Sequence, residues 1–191
     1  MRTSDFDYAL PRELIAQAPL EPRDGSRLLV LDRSTGTIAH RRFSELPDLL
    51  RSDDLLVLND SHVIPARLIG RRADTGGRVE LLLVRRESPG LWQCLGRPGR
   101  RLRPGAQVVF EHGLEAHVVG LGEAGLRSVE ISDESLIERV GQVALPPYVH
   151  EPLDNPERYQ TVYVGAQAGS VAAPTAGLHF TPELLDRVQT R

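Results

Sequence analysis

The stretch RVELLLVRRESPGLWQCLGR, residues 78–97, holds two apolar segments separated by the turn signal Ser-Pro-Gly. Segments of this length that are rich in Val, Leu and Trp are typical of β-strands. The stretch therefore predicts two strands that are joined by a tight turn.

Similar segments continue in both directions from this pair. VIPARLIGRR precedes it, and the segments AQVVFE, LEAHVVGL and GLRSVEI follow it, with turn signals TGG, RPGRRLRPG, EHG and GEAG between them. Six short, evenly spaced strands within about 70 residues are typical of a small antiparallel barrel or sandwich. We predict a barrel domain over residues 63–142.

The flanking sequence mixes strand and helix patterns. SRLLVLD and TIAHRRF predict a hairpin around a Gly-containing turn, and DLLVLND predicts a buried strand that ends in polar residues. VALPPYVHEPLDNPERYQTVYV reads as a Pro-rich connector that leads into a strand. We therefore predict a mixed α+β (α/β) domain, formed by residues 1–62 and 143–191, that is interrupted by the smaller six-stranded antiparallel β-barrel.

Three helices are predicted from their capping signals. FSELPDLLRS is expected to begin with Ser44 as N-cap, and SDESLIERVG with Ser132 as N-cap and Gly141 as C-cap. TPELLDRVQTR is expected to begin with Thr181 as N-cap and Pro182 at the first helical position.

The charge distribution is uneven. All 23 basic residues are Arg, so that no lysine Schiff base or P-loop lysine is available. Residues 61–110 carry ten Arg against three acidic residues, a net charge of +7, whereas the remainder of the chain has a net charge of −10. This asymmetry predicts a polyanionic partner, unless the Arg side chains only decorate exposed strand faces.

The remaining composition limits the class of protein. A single cysteine, Cys94, excludes an intrachain disulfide framework and a Cys-rich zinc site. Neither a long apolar run nor a signal-peptide pattern is found, so we expect no membrane association and a cytoplasmic location. His112 and His117 are poorly spaced for a metal site, and we expect no metal.

The segment GSVAAPTAGLHFTPELL, residues 169–185, is the first candidate site. Its small residues, Gly177 among them, permit close approach of the backbone to a ligand, and Ser170 and Thr175 supply hydroxyl groups. The helix that begins at Thr181 favours a carboxylate or phosphate at its N-terminus. The alternative is a tight turn that packs under a helix.

His179 is the only titratable residue between Gly169 and Pro182. An imidazole exchanges protons near neutral pH, and imidazoles in loops at helix N-termini are enriched in functional sites. The alternative is a core histidine that is hydrogen-bonded to backbone.

Three further segments are candidates for ligand binding. After the predicted strand DLLVLND, Asn59 and Asp60 would lie at a strand end, with Arg67 as a partner for Asp60 or for a phosphate, unless they form an Asx turn. In EPRDGSRLL, Arg23 and Arg27 either recognise an anion or form a solvated Arg–Asp pair. The third segment, ERYQTVY, contains Tyr159, Gln160 and Tyr163, and its rings either stack on a base or a sulfonium or simply belong to an amphipathic element.

The loop RPGRRLRPG is the candidate for RNA binding. Four Arg side chains project from a loop that Pro stiffens, which suits a phosphate backbone, although charge runs are commonly solvated faces. The four residues are Arg97, Arg100, Arg101 and Arg103.

Taken together, these stretches resemble the S-adenosylmethionine:tRNA ribosyltransferase-isomerase family of the queuosine pathway. The resemblance is carried by DFDYALPRELIAQAP, RDGSRLLVLDR, DLLVLNDSHVIPARLIG, LPPYV, ERYQTVY and above all GSVAAPTAGLHFTPELL. Family members are about twice as long, which indicates an N-terminal portion. Where the family reads Asn-Asp-Thr-Arg, this chain has Ser61 and His62 in the last two positions.

The resemblance implies an α/β domain interrupted by a six-stranded barrel. It also implies transfer of the ribosyl part of S-adenosylmethionine to 7-aminomethyl-7-deazaguanine at the tRNA wobble position, giving epoxyqueuosine, adenine and methionine. S-adenosylmethionine is then a consumed substrate, no cofactor is expected, and the partners are this substrate and tRNA. We expect a monomer.

On that chemistry we place hypotheses for single residues. His179 is the base for the C5′ proton or the proton donor to adenine, and Thr175 and Asp60 join it as catalytic candidates. Asp60 faces the sulfonium or the ribose, and the helix that begins at Thr181 holds the methionine carboxylate. Tyr159 and Tyr163 stack on adenine or on the modified base. The alternative function is a truncated or non-catalytic RNA-binding module built on the Arg-rich barrel.

Overall fold

The computed structural model describes residues 1–153, 155–165 and 168–191. The chain divides into two compact units. The terminal unit consists of Met1–Asp54, Leu145–Arg158 and His179–Arg191, and the barrel unit consists of Leu55–Ala144 and Tyr159–Leu178.

Six antiparallel strands close into a barrel. The predicted set of six strands is confirmed, and closure through the pairs Arg71↔Val109 and Arg72↔Val108 makes the sheet a barrel rather than a sandwich. The strands are β4 Arg67–Arg72, β5 Arg78–Ser88, β6 Leu91–Arg97, β7 Gln107–Val109, β8 Glu115–Leu121 and β9 Leu126–Ile131. Around the barrel they follow the order β4-β5-β6-β9-β8-β7.

The barrel interior is filled by the inward-facing residues of these strands. Leu81 and Leu83 are fully buried while their neighbours on β5 are partly exposed, as the period of two along a strand requires. At Gly70 a Cβ atom would lie 2.6 Å from the ring of Phe110, so only glycine allows that ring to cover the strand. Burial raises the pKa of Cys94 to about 12, which keeps this thiol protonated and unreactive.

The first predicted strand of the barrel is shorter than expected. β4 begins at Arg67, whereas His62–Val63 forms a separate strand, β3, that pairs in parallel with β10, Ala168–Ser170. Pro65 lies between the two segments and has no N–H to donate to a ladder, which explains the interruption.

The helix after the barrel is capped differently from the prediction. A 3₁₀ turn, Glu134–Leu136, precedes the one-turn helix α2, Ile137–Val140, and Gly141 ends it as predicted. The cap is Asp133, whose carboxylate accepts the N–H of Ser135 at 2.9 Å. The predicted cap, Ser132, instead accepts the N–H of Glu115 with its hydroxyl, which ties it to the barrel.

The terminal unit contains the predicted hairpin and two helices. β1, Arg27–Leu31, pairs antiparallel with β2, Ile38–Arg42, as predicted. The one-turn helix α1, Leu46–Leu49, follows a 3₁₀ turn over Phe43–Glu45. The predicted cap at Ser44 is wrong, because Ser44 lies inside this 3₁₀ turn. The Glu45 carboxylate accepts the N–H of Arg42, the residue that precedes the turn.

The last helix, α3, spans Pro182–Gln189 and has the predicted capping geometry. Its Leu184 is buried. Two hydrogen bonds attach its C-terminal end to the α1 region. Arg187 donates to the Ser44 carbonyl at 3.1 Å, and Arg191 pairs with Asp48 at 3.0 Å.

Two predicted strands are absent from the residues that the structure describes. Leu55–Leu58 lies in no strand and is exposed, with Leu55 at 88% and Val57 at 80%, since no other described segment pairs with it. The segment after Tyr159 forms turns, not a strand, up to residue 165.

Short 3₁₀ turns connect many of these elements, and no helix in the described ranges is long and apolar enough to cross a membrane. Besides Phe43–Glu45 and Glu134–Leu136, these 3₁₀ turns are Thr3–Phe6, Arg12–Leu14, Arg23–Gly25, Gly99–Arg101, Glu111–Gly113, Glu123–Gly125, Pro156–Tyr159 and Thr175–His179.

Candidate functional site

In the terminal unit, the His179 side chain lies on an aromatic neighbour. Its ring centroid is 5.3 Å from that of Phe43, with an interplanar angle of 45°, and the ring is only partly buried. Phe180, which is 4% exposed, meets the same Phe43 ring edge-on at 5.0 Å. Phe43 therefore orients His179 and anchors the chain after it, while the imidazole keeps contact with solvent. No local sequence signal indicates this role for Phe43, which lies 136 positions earlier.

The residue that opens α3 uses its side chain within the helix. The Thr181 hydroxyl accepts the N–H of Leu184 at 3.1 Å, so that this hydroxyl acts as a cap. The predicted binding of an anion at this helix N-terminus would therefore rest on backbone N–H groups and not on the Thr181 hydroxyl.

Arg23 and Arg27 lie near the start of the terminal unit and differ in their surroundings. Arg23 donates to the carbonyl of Glu157 at 3.3 Å, and burial, together with the nearby Arg158 guanidinium, lowers its pKa. Arg27 is exposed at the start of β1 and lies directly opposite Arg42.

In the barrel unit, Gly177 is buried against the turn that carries Tyr163. A Cβ atom at Gly177 would overlap the Tyr163 hydroxyl and would lie 3.1 Å from the Thr161 methyl group. Burial raises the pKa of Tyr163, so that this phenol remains protonated. Thr175, two residues before Gly177, is exposed and presents its hydroxyl to solvent.

Thr161 is a residue that the sequence did not single out. It is 4% exposed, and its hydroxyl oxygen has no hydrogen-bond partner among the described residues. An unpaired buried hydroxyl beside two predicted site residues is unusual, because burying such a group without a partner costs free energy.

Gln160 has a structural contact that its sequence position did not reveal. Its amide accepts the Val63 N–H at 3.0 Å and donates to the Val63 carbonyl at 2.7 Å, so it pairs with β3 as a neighbouring strand would. Tyr159 is buried, and Ser170 uses its hydroxyl to donate to the Ala172 carbonyl at 2.7 Å.

Asn59 and Asp60 form the turn that the sequence offered as the alternative. The Asn59 side chain accepts the N–H of Ser61 at 2.9 Å, which is an Asx turn. The Asp60 carbonyl accepts the Gly165 N–H at 2.7 Å, and both Asn59 and Asp60 are exposed. Arg67 pairs with Glu80 at 2.9 Å and not with Asp60.

The four Arg of the candidate RNA-binding loop, Arg97, Arg100, Arg101 and Arg103, are all exposed. Arg127 braces this loop from the neighbouring strand, because its guanidinium donates to the carbonyls of Leu102 at 2.8 Å and of Gly99 at 3.2 Å. The loop therefore has a fixed backbone under exposed charges.

The described residues provide no candidate metal site. Within the residues that the structure describes, no group of three or more His, Cys, Asp and Glu side chains is placed to hold an ion. The expectation of a metal-free protein stays a prediction.

Comparison with known proteins places the chain in a family. The model of the family described as "Queuosine biosynthesis protein" matches residues 3–191. The chain belongs to the queuosine biosynthesis protein family. This confirms the resemblance seen in the sequence motifs.

Two curated proteins are similar over all or nearly all of the chain. Both are named S-adenosylmethionine:tRNA ribosyltransferase-isomerase. The protein from Symbiobacterium thermophilum is 54% identical over 100% of this chain and 57% of its own length, and that from Dehalococcoides mccartyi is 50% identical over 98% of this chain and 56% of its own length. The chain thus spans just over half the length of these relatives.

A solved structure is also similar in sequence. The crystal structure of S-adenosylmethionine tRNA ribosyltransferase from Thermotoga maritima is 41% identical, covers 98% of this chain and 54% of its own, and gives a TM-score of 0.38.

Proposed function

We propose that this chain is the N-terminal portion of a tRNA-modifying enzyme. The reaction is the transfer and isomerisation of the ribosyl group of S-adenosylmethionine onto 7-aminomethyl-7-deazaguanine at the tRNA wobble position, which gives epoxyqueuosine and releases adenine and methionine. The observation that carries the proposal is the family match over residues 3–191, together with relatives of that name at 54% and 50% identity.

The proposed architecture is an α/β domain that is interrupted by the barrel. Residues 1–62 and 143–191 would form the α/β domain and residues 63–142 the inserted barrel domain. The order of elements supports this arrangement, because β1, β2 and α1 precede the barrel strands in sequence and α3 follows them.

The proposed chemistry begins at the sulfonium, which acidifies the neighbouring C5′ protons. His179 accepts one of these protons and leaves the electron pair on C5′ beside the positive sulfur, or it gives a proton to the departing adenine. A partly exposed imidazole whose orientation is set by Phe43 supports this role. The exposed Thr175 hydroxyl is the second catalytic candidate in this segment.

Substrate-binding roles are proposed for single residues. The N-terminus of α3, at Thr181, holds the methionine carboxylate, and the exposed Asp60 carboxylate faces the positive sulfur or the ribose. The remaining proposed contacts are Arg23, Arg27, Asn59, Arg67, Tyr159, Gln160, Tyr163, Ser170 and Gly177.

S-adenosylmethionine acts here as a consumed substrate, so the reaction needs no further cofactor. The proposed partners are this compound and the tRNA that carries the precursor base. We place the protein in the cytoplasm as a monomer without membrane attachment.

A second candidate function is RNA binding without chemistry. Six of the ten Arg in residues 61–110 have no carboxylate within 4.0 Å in the part of the chain that the structure describes, and this unbalanced charge favours an RNA-binding module. The six are Arg71, Arg78, Arg97, Arg100, Arg101 and Arg103.

The decisive experiment measures adenine released when this chain is incubated with S-adenosylmethionine and tRNA bearing 7-aminomethyl-7-deazaguanine. We expect release by the wild type, loss of at least about a hundredfold in His179→Gln, and no change in His117→Gln, which removes an exposed barrel imidazole. Normal release by His179→Gln would overturn the assigned role of His179. tRNA binding without adenine release would favour the RNA-binding module, and the absence of both would reject both functions.

A further inference from the structure

A pair of Arg side chains on the barrel remains outside the roles assigned so far. Arg71 on β4 lies directly opposite Arg78 on β5, and both are exposed. Their neighbours Gly70 and Val79 are buried, so Arg71 and Arg78 share the outward face of the barrel. Like charges at directly opposed positions destabilise a sheet, which makes this juxtaposition costly unless an anion binds between them.

The charge of this pair is not neutralised by the protein. Neither guanidinium has a carboxylate within 4.0 Å among the described residues, whereas Arg67 and Arg72 on the same strand are paired with Glu80 and Asp74. Arg71 donates one N–H to the Gly76 carbonyl at 3.2 Å, which restrains its side chain and leaves its other donors available.

A cleft of 440 Å³ opens beside the two side chains. This volume falls within the range of about 300–1,000 Å³ that is common for ligand sites. Arg71 and Arg78 line it together with Phe110, whose ring lies over Gly70. Glu111 also lines the cleft, and its single carboxylate does not balance two guanidiniums.

The candidate RNA-binding loop contacts the strands that carry Arg71 and Arg78. Arg101 donates to the Arg78 carbonyl at 3.4 Å, and Arg72 donates to the Arg101 carbonyl at 3.0 Å. These two contacts attach the 3₁₀ turn Gly99–Arg101 to the β4–β5 hairpin. The candidate RNA-binding loop is therefore held next to the two strands that carry Arg71 and Arg78.

We propose that Arg71 and Arg78 form a phosphate-binding site for the RNA backbone, which extends the basic loop onto the barrel wall. The guanidiniums bind a phosphodiester group between the two strands, where it relieves their mutual repulsion. This inference rests on the proposed function only in taking a tRNA as the ligand.

The test compares tRNA binding by Arg71→Gln/Arg78→Gln with the wild type and with the control Arg85→Gln/Arg139→Gln. The control removes the same charge from exposed positions, of which Arg85 is already paired with Glu87. The probe is a fluorescently labelled tRNA transcript, followed by anisotropy from about 50 to about 200 mM NaCl.

We expect the double variant to bind roughly tenfold more weakly at the lowest salt and to lose between about one and two from the slope of log K against log [salt]. The control is expected to stay within about twofold of the wild type. Circular dichroism melting curves check that both variants are folded.

The outcome is separable from the enzymatic proposal. Wild-type affinity and slope in Arg71→Gln/Arg78→Gln would overturn the site even if the chain releases adenine. Weakened binding in that variant alone would support the site even if the wild type releases no adenine. A wild-type chain that binds no tRNA overturns both the phosphate-binding site and the enzymatic proposal.

Discussion

The Tyr163 hydroxyl lies so close to Gly177 that a methyl group at position 177 would overlap it. Two stretches that the sequence presented as separate candidates, ERYQTVY and the segment that contains His179, therefore meet at this contact within the barrel unit. The requirement at Gly177 is steric, because it comes from the space that the Tyr163 ring occupies.

Gly177→Ala is expected to lower the free energy of unfolding by about 1–3 kcal/mol, the usual cost of overpacking a buried site. Urea denaturation measures this change. The double variant Gly177→Ala/Tyr163→Phe should recover part of the loss, because the overlapping hydroxyl is gone. A double-mutant cycle with zero coupling energy would contradict the contact.

Thr161→Val tests the unpaired hydroxyl. Because Val has nearly the same shape and no polar group, we expect stability to stay the same or to rise by about 1 kcal/mol. Thr161→Ala is the companion variant and should be less stable than Thr161→Val, because it also leaves a cavity. A fall in stability with Thr161→Val would mean that the hydroxyl binds a partner in the folded protein.

Glu134 should contribute to stability in a pH-dependent manner. Hydrogen bonds from Arg86, at 2.8 and 2.5 Å, and from Trp92, at 2.6 Å, lower its pKa to about 2 from an ordinary value of 4.5. Since the pKa is lower in the folded state, the stabilisation is complete above about pH 5 and is lost as the pH falls towards 2.

We therefore expect Glu134→Gln to be less stable than the wild type near neutral pH, with a difference that shrinks steadily as the pH falls below about 5. Denaturation midpoints at several pH values measure this. Glu130→Gln, at an exposed position on β9, is the control and should follow the wild type at every pH. A pH-independent difference for Glu134→Gln would exclude the proposed linkage.

The barrel was the part of the fold that the sequence predicted best. Its strands alternate buried and exposed residues, and each is bounded by Gly or Pro turn signals, so local pattern was sufficient. The choice between barrel and sandwich depended on the β4–β7 pairing, which joins residues about 37 positions apart in sequence and has no local signal.

Local competition between neighbouring side chains explains the errors at the helix starts. Ser132 and Asp133 are both good caps, and only the barrel contact of Ser132 decides between them. At Leu55–Leu58 the apolar pattern predicted a strand, but a strand also needs a partner, and the described residues supply none.

The sequence supplied candidate site residues, but it could not predict the contacts that these residues make. The position of His179 was clear from the sequence, whereas the Phe43 ring beneath it comes from a distant segment. Likewise, Arg71 and Arg78 looked like ordinary surface charges until strand register placed them opposite each other.

The hydrogen bonds that Arg127 donates to the loop after β6 would reduce the conformational entropy that this loop loses on binding a polyanion. A segment whose backbone is already held by partly buried donor groups would lose little conformational freedom if a polyanion docked on it. Most of the attraction between its guanidiniums and phosphates would then appear as affinity instead of being spent on ordering the chain.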